Sequence, residues 1–279
     1  MLKYELIPQQ LLREGIIQAG DVHSPGKANE DVILATHQQG YWQRVRDLTL
    51  SAAEVRRIGF PLSRELVERE LRIAQGTVNG CLHALNHGIA FNVAGGTHHA
   101  GYDWGEGFCL LNDQAIAANY LLENGLAKKI LIIDLDVHQG NGTAALFSEE
   151  ERVFTFSMHA ESNFPFRKEK SDLDIGLEDQ TNGEEYLKLL NKHLPVVVSG
   201  FQPDFIFYLS GVDVLSTDKL GKLNLSLQEC MERDQVVLKL CHKSAIPVQI
   251  SMGGGYSPKI GDIVDAHCNT FRVSRDLYF

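Results

Sequence analysis

Three residues capable of chemistry close one apolar run: ILIIDLDVHQGNG, residues 130–142, ends with Asp134, Asp136 and His138. Carboxylates are seldom fully buried unless they are paired or bind a metal. While a strand persists, these three side chains point to one face and Ile133, Leu135 and Val137 to the other. An aspartate and a histidine two apart then chelate one cation without bending the chain. Asp213, at the end of another apolar run, completes an Asp–His–Asp set. Three protein ligands with a position left for water are the arrangement of a catalytic zinc rather than a closed structural one. Asp134 is surplus to that metal, free to orient a histidine or to bind a hard cation such as potassium.

Other apolar runs end in the same kind of residue. IAFNV (89–93) leads into AGGTHHAG with His98 and His99, RVFTF (152–156) into Ser157 and His159, and IPVQISM (246–252) into GGGY with Tyr256. Either histidine could take a proton from a metal-activated water. The three glycines let the backbone come close and bring the Tyr256 hydroxyl to a substrate oxygen. A metal, a base and an oxyanion donor together describe a metal-assisted hydrolase of an amide or ester.

The elements that must position these residues are readable too. IAFNV, KILIIDLDV (129–137), RVFTFSM, DFIFYLSGV (204–212) and IPVQISM are of strand length, and several are apolar on both faces, as a sheet covered on both sides requires. Between them lie helical patterns. Residues 63–88 repeat Val67, Leu71, Ala74, Val78, Leu82 and Leu85 behind a Ser63 cap. Residues 112–124 stop at Gly125, and Ser226 with Glu229 forms a capping box. Residues 183–199 are helical, with Pro195 expected to break or kink them. Alternating strands and helices predict one α/β domain over residues 1–279, a mostly parallel sheet with helices on both faces. In such sheets ligands bind beyond the carboxyl ends of the strands, where the polar residues above collect.

A formal net charge of −10 argues against a general nucleic-acid binder, which needs the opposite sign. No apolar run approaches membrane-spanning length, and MLKYELIPQQ lacks the layout of a signal peptide. The five cysteines are scattered, without C-x-x-C spacing, and read as free thiols of a reducing compartment. A cytoplasmic location is the expectation.

Rival readings of single motifs are weaker. Asp134 and Asp136 fit the D-x-D nucleophile motif of haloacid-dehalogenase-type phosphatases, which leaves His138 and the other strand ends unexplained. The triple glycine lacks the Lys-Ser/Thr of a phosphate loop. His83 and His87 lie four apart but lack the glutamate of H-E-x-x-H, and read as helix-end residues before Gly88. Cys109 reads as a small buried residue, and EEER (149–152) and RKEK (167–170) as solvated surface.

GGTHHAG, GEGFCLLND, DLDVHQGNG, FSMH, LSGVDVLSTDKLG and GGGY stand in the order and spacing of the histone deacetylase superfamily, which the sequence resembles over nearly its whole length. NFPFRKEKSDLDI and the variant HQGNG are most similar to its class IV branch. Family members usually begin with a strand and a histidine-containing turn before the segment matching KYELIPQQLL. Here that segment stands almost at the start, so a sheet lacking one edge strand is expected. The resemblance implies Asp136, His138 and Asp213 as zinc ligands, ferrous iron being the alternative ion. It implies His99 as general base, His98 as an electrostatic partner held by Asp134, and Tyr256 as the hydroxyl that polarises the carbonyl; which histidine moves the proton stays open. Asn141 stands where other branches carry aspartate and would make a neutral partner for His99. Phe108 and Phe164 resemble the walls of a lysine tunnel, with Gly107 and Gly254 beside them. Asp134, Asp136, His138, Ser157 and Met158 resemble a potassium site.

The implied reaction is hydrolysis of an Nε-acyl-lysine amide in a protein or peptide. A small acylated amine such as an acetylpolyamine is the alternative substrate, and a non-catalytic acyl-lysine binder the alternative from another class. Arginase-type hydrolases share the fold but need two manganese ions and further carboxylates.

Overall fold

The structure, a computed structural model, describes residues 2–279. Six strands form one sheet: β1 (Ile89–Asn92), β2 (Ile130–Asp134), β3 (Val153–Ala160), β4 (Leu173–Leu177), β5 (Phe205–Leu209) and β6 (Val248–Ser251). Their order is β1-β6-β5-β2-β3-β4, and every neighbouring pair is parallel. Every residue of β2 and β5 is buried, as a parallel sheet covered on both faces demands.

Period-two alternation divides the core between the two faces. Leu131, Ile133, Ile206, Tyr208, Val248 and Ile250 pack with the helices Lys3–Arg13, Gly183–Phe201, Leu227–Lys243 and Ile260–Tyr278. Ile130, Ile132, Phe205 and Phe207 pack on the other side with Arg64–His87 and Asp113–Glu123. Registry aligns the strand ends: Asp134 lies opposite both Ser157 and Leu209, and Leu209 opposite Ser251. The loops that leave these ends therefore start from one level of the sheet.

Three expectations change in detail. β4 goes beyond the five anticipated strands; it is an edge strand whose first four residues are partly or fully exposed, so it carries no apolar run to betray it. The helix Gly183–Phe201 continues through Pro195. Pro195 and Asn191, whose carbonyl loses its helical partner, are both exposed, so water can meet that carbonyl. Finally, β2 stops at Asp134, so strand alternation does not carry Asp136 and His138 to their places. At the opposite edge from β4, β1 pairs with β6 alone.

Candidate metal centre and its cavity

Beyond β2 the chain turns on its own carboxylates. Asp136 N–H donates to Asp134 Oδ1 (3.1 Å), and His138 N–H to Asp136 Oδ1 (3.0 Å). Side-chain oxygens bonding the backbone two residues on are how aspartate stabilises a turn. The turn swings His138 Nδ1 to 3.0 Å from Asp136 Oδ1 and 3.3 Å from Asp213 Oδ2. Asp136, His138 and Asp213 each offer a ligand atom, all within 4.8 Å of one another, and all three are buried. Asp213 Oδ1 accepts from Val137 N–H (3.0 Å), while its Oδ2 is buried without a hydrogen-bond partner.

The electrostatics favour a cation there. Burial alone would pull the His138 imidazolium down, but the carboxylates of Asp136 and Asp213 outweigh it and push its pKa up to about 10. Burial, and then the charge of Asp136, raises Asp213 to about 6. Two desolvated carboxylates, one with an unpartnered oxygen, and an imidazole nitrogen make a donor set that fits a divalent ion with nitrogen and oxygen preference. Gly254 closes the far side: its N–H donates to Asp136 Oδ2 (2.8 Å), and a Cβ there would collide with Asp213 and Asp136.

His98 and His99 follow β1 on a loop gripped by Asp113, which accepts from Gly96 N–H (2.9 Å), Thr97 N–H (2.8 Å) and the Thr97 hydroxyl (2.7 Å). The two imidazoles differ in partner. His98 Nδ1 lies 2.6 Å from Asp134 Oδ2; burial opposes its charge, but Asp134 and Asp136 prevail and raise it to about 9. Burial also pushes the Asp134 carboxyl upward, yet at this distance mutual attraction favours the charged pair. His99 Nδ1 lies 2.7 Å from Asn141 Oδ1, and burial followed by the neighbouring charges of His98 and His138 holds it well below the usual histidine range. One ring is charged and the other neutral, with Nε2 of the neutral ring turned from its amide partner.

The structure brings most of the singled-out residues around one cavity of about 330 Å³, lined by His98, His99, Phe108, Asp136, Asp213 and Tyr256 among others. Gly107 and Gly254 belong to its wall. Burial, then Asp213 and Asp136, hold the Tyr256 hydroxyl well above the usual tyrosine range, so it remains a donor. Phe108 stands 6.1 Å from the Tyr256 ring, and Phe164 meets His99 edge-on at 5.0 Å. Both Gly107 and Phe108 have positive φ, and Phe108 bears the greater strain as a bulky residue in that region. The loop carrying Phe164 is tied down by Lys168, whose ammonium donates to the carbonyls of Glu161, Asn163 and Pro165. Gln139 pins the same loop farther on, donating to Glu169 O (2.7 Å) and Asp174 Oδ1 (2.8 Å).

Of the residues singled out for potassium, Asp134 and Ser157 stand side by side in the sheet, and the Ser157 hydroxyl pairs with His159 Nδ1 at 2.9 Å. His83 and His87 stack at 4.3 Å on the exposed side of their helix, away from the cavity. All five cysteines are free and buried. Among the described residues no helix is long and apolar enough to cross a membrane.

Sequence reasoning missed several residues here. Lys3 is buried at the cavity and donates to Gly253 O (2.7 Å); burial lowers it to about 8 against the pull of Asp213 and Asp136. Tyr4 and Arg69 line the cavity near it. Glu106 donates nothing and accepts twice, from Asn141 Nδ2 (2.5 Å) and from Arg57 Nε (2.7 Å). Its one signal in the sequence is a charge between two glycines, ahead of the apolar run Phe108–Leu111.

Residues 2–271 match the family described as "Histone deacetylase domain". An uncharacterized protein of Picosynechococcus sp. is 43% identical over 278 residues, spanning 100% of this chain and 93% of that one. Histone deacetylase 2 of Arabidopsis thaliana is 27% identical, over 91% of this chain and 68% of that protein. A crystal structure of an HDAC homolog from Aquifex aeolicus superposes with a TM-score of 0.83 at 25% identity, covering 96% of this chain and 77% of that one; an HDAC homolog complexed with SAHA gives the same values.

Proposed function

The chain belongs to the histone deacetylase family, and on that footing we propose that it hydrolyses the amide of an Nε-acyl-lysine to lysine and a free carboxylate. The observation that carries this reading is the buried Asp136–His138–Asp213 cluster, two of whose members, Asp136 and Asp213, line the same cavity as His99 and Tyr256. Asp136, His138 and Asp213 would hold a divalent cation, zinc or ferrous iron, which when bound would supply Lewis acidity. His99 takes the attacking water's proton at Nε2, its Nδ1–H being held by Asn141. His98, charged against Asp134, lends positive field where negative charge develops, and Tyr256 donates its hydroxyl to the carbonyl oxygen. The proton passes on to the leaving lysine nitrogen as the carbon–nitrogen bond breaks. Phe108 and Phe164 flank the lysine stem and keep water from it, and the Gly107 carbonyl accepts the amide N–H beside Gly254. Potassium would sit by Asp134 and Ser157, with backbone oxygens near Asp136, His138 and Met158; the β2–β3 register supports this by setting the two side chains opposite each other.

Turnover of the zinc-loaded protein on lysine peptides bearing acetyl to myristoyl groups, run beside Tyr256→Phe, tests the reading. We expect wild type to hydrolyse at least one member and the variant to lose about 100-fold or more in kcat with its zinc retained. If wild type turns over no acyl-lysine but does cleave an acetylpolyamine, the substrate is a small amine and the lysine reading fails.

A further inference from the structure

Three side chains, Arg57, Glu106 and Asn141, lead from the protein surface to His99. Arg57, half exposed at the end of the Ala52–Ile58 helix, lies over the Trp104 ring (5.6 Å) and donates to Glu106 Oε2 (2.7 Å). Glu106, 8% exposed, accepts on its other oxygen from Asn141 Nδ2 (2.5 Å), and Asn141 Oδ1 faces His99 Nδ1 (2.7 Å). The backbone fixes the same geometry: Gly107 N–H donates to Arg57 O (3.2 Å) and Phe108 N–H to Ile58 O (2.7 Å), so the turn carrying Glu106 is laced to the helix carrying Arg57.

An asparagine amide is ambivalent. One end donates and the other accepts, and a half-turn exchanges them. With its NH2 toward His99, Asn141 would demand an acceptor at Nδ1 and drive the imidazole proton to Nε2, the nitrogen left for the cavity; a ring protonated there is no base. An ionised carboxylate ends the ambiguity because it only accepts. Glu106 takes the NH2, Asn141 must present its carbonyl to His99, and the ring proton must sit on Nδ1. The negative charge meanwhile stays one residue removed from the imidazole and is balanced by Arg57. His98 has its carboxylate in direct contact; His99 has an amide, with a carboxylate behind it.

We propose that Glu106, braced by Arg57, is a positioning residue that sets the tautomer of His99 through the orientation of Asn141. The kinetic part rests on the hydrolase reading above; the tautomer part does not.

The test is nitrogen-15 NMR of histidine-labelled protein, with His99 assigned from a His99→Phe sample, beside steady-state kinetics. Wild type should show His99 as the Nδ1–H tautomer. Glu106→Gln offers Asn141 both a donor and an acceptor, and should shift His99 toward a mixture with Nε2–H. Its kcat should fall by at least about tenfold and by at most the roughly ten-thousandfold that a wholly wrong tautomer costs, with KM and zinc content unchanged. The double variant Glu106→Gln/Asn141→Asp restores an acceptor-only group beside the ring and should recover both the tautomer and most of kcat, which a merely structural role would not do. Glu106→Ser is run in parallel. A His99 that stays Nδ1–H in folded Gln and Ser variants overturns the proposal. So does loss of fold in both, which would make Glu106 structural. If wild type hydrolyses nothing offered, the hydrolase reading fails while the tautomer measurement still decides the role of Glu106.

Discussion

Asp213 illustrates how much one side chain does in this site. One oxygen fixes the Val137 N–H and so the turn that aims His138; the other is buried without a hydrogen-bond partner, in a cluster that could hold a cation. Asp213→Asn keeps the size and the backbone contact but removes charge and one acceptor. We expect it to weaken zinc binding by more than about 100-fold, beyond the usual effect of a residue that merely supports a ligand, measured by competition with a chelating dye. Retention of zinc at wild-type affinity would remove Asp213 from the ligand set. At this scale the sequence is legible where chemistry is compressed into neighbours: Asp134, Asp136 and His138 announce themselves within five residues. Glu106 does not, because Arg57 and Asn141, its partners, lie 49 and 35 residues away. A long-range pair of that kind leaves no local pattern.

The helix Leu227–Lys243 holds the ends of the central strands in place. Arg233, fully buried on Leu227–Lys243, donates to Gly211 O (2.6 Å) and Leu135 O (3.2 Å), the carbonyls just before Val212 and Asp136. Asp234 balances it and also accepts from Tyr208 (2.6 Å) and Thr270 (2.7 Å). Arg233→Met would leave Asp234 buried without its cation, and should cost about 3–5 kcal/mol by denaturant unfolding. A loss below 1 kcal/mol would show that the pair contributes little. On Arg64–His87, Glu70 is an opposite case: burial raises it to about 7 despite Arg69, and one oxygen has no partner. Its acid form is favoured in the fold, so it lowers stability progressively from about pH 4.5 to 7, and fully above. Glu70→Gln should therefore stabilise by up to about 3 kcal/mol at pH 8 and change little at pH 4, as thermal scans at the two pH values would show. Equal effects at both would refute this. Neither helix hid its existence: the capping box Ser226–Glu229 and the Ser63 cap are both formed. The polar roles of Arg233 and Glu70 stayed hidden because amphipathic spacing identifies apolar faces only.

For the molecule as a whole, strand order decides where chemistry can happen. β2 and β5 are neighbours whose onward connections run in opposite directions, β2 to β3 and β5 to β6, and that reversal opens a crevice at their carboxyl ends. Apolar runs made five strands legible in the sequence; β4 was not, being a half-exposed edge, and Asp136 and His138 reached their places by a turn where alternation along a strand was expected. Because the cluster joins loops from β2 and β5, a cation bound there ties distant segments of the folded chain. Zinc at 100-fold above its dissociation constant should add about 2.7 kcal/mol and raise Tm by about 5 °C or more, a shift that a chelator reverses. An unchanged Tm would mean that the folded protein binds no zinc at this cluster.

The bond from Lys3 to Gly253 spans 250 residues, and β1 closes only against β6. During synthesis, at about 5–20 residues per second, the turn carrying Lys3 waits on the order of ten to fifty seconds for its partner to be made. β1 likewise emerges from the ribosome long before the strand it pairs with. The cavity wall that joins Lys3 to the glycine turn before Tyr256 thus forms only after residue 253 has been made. A nascent chain that stalls before residue 248 presents β1 as an unpaired edge, a substrate for chaperones rather than an enzyme.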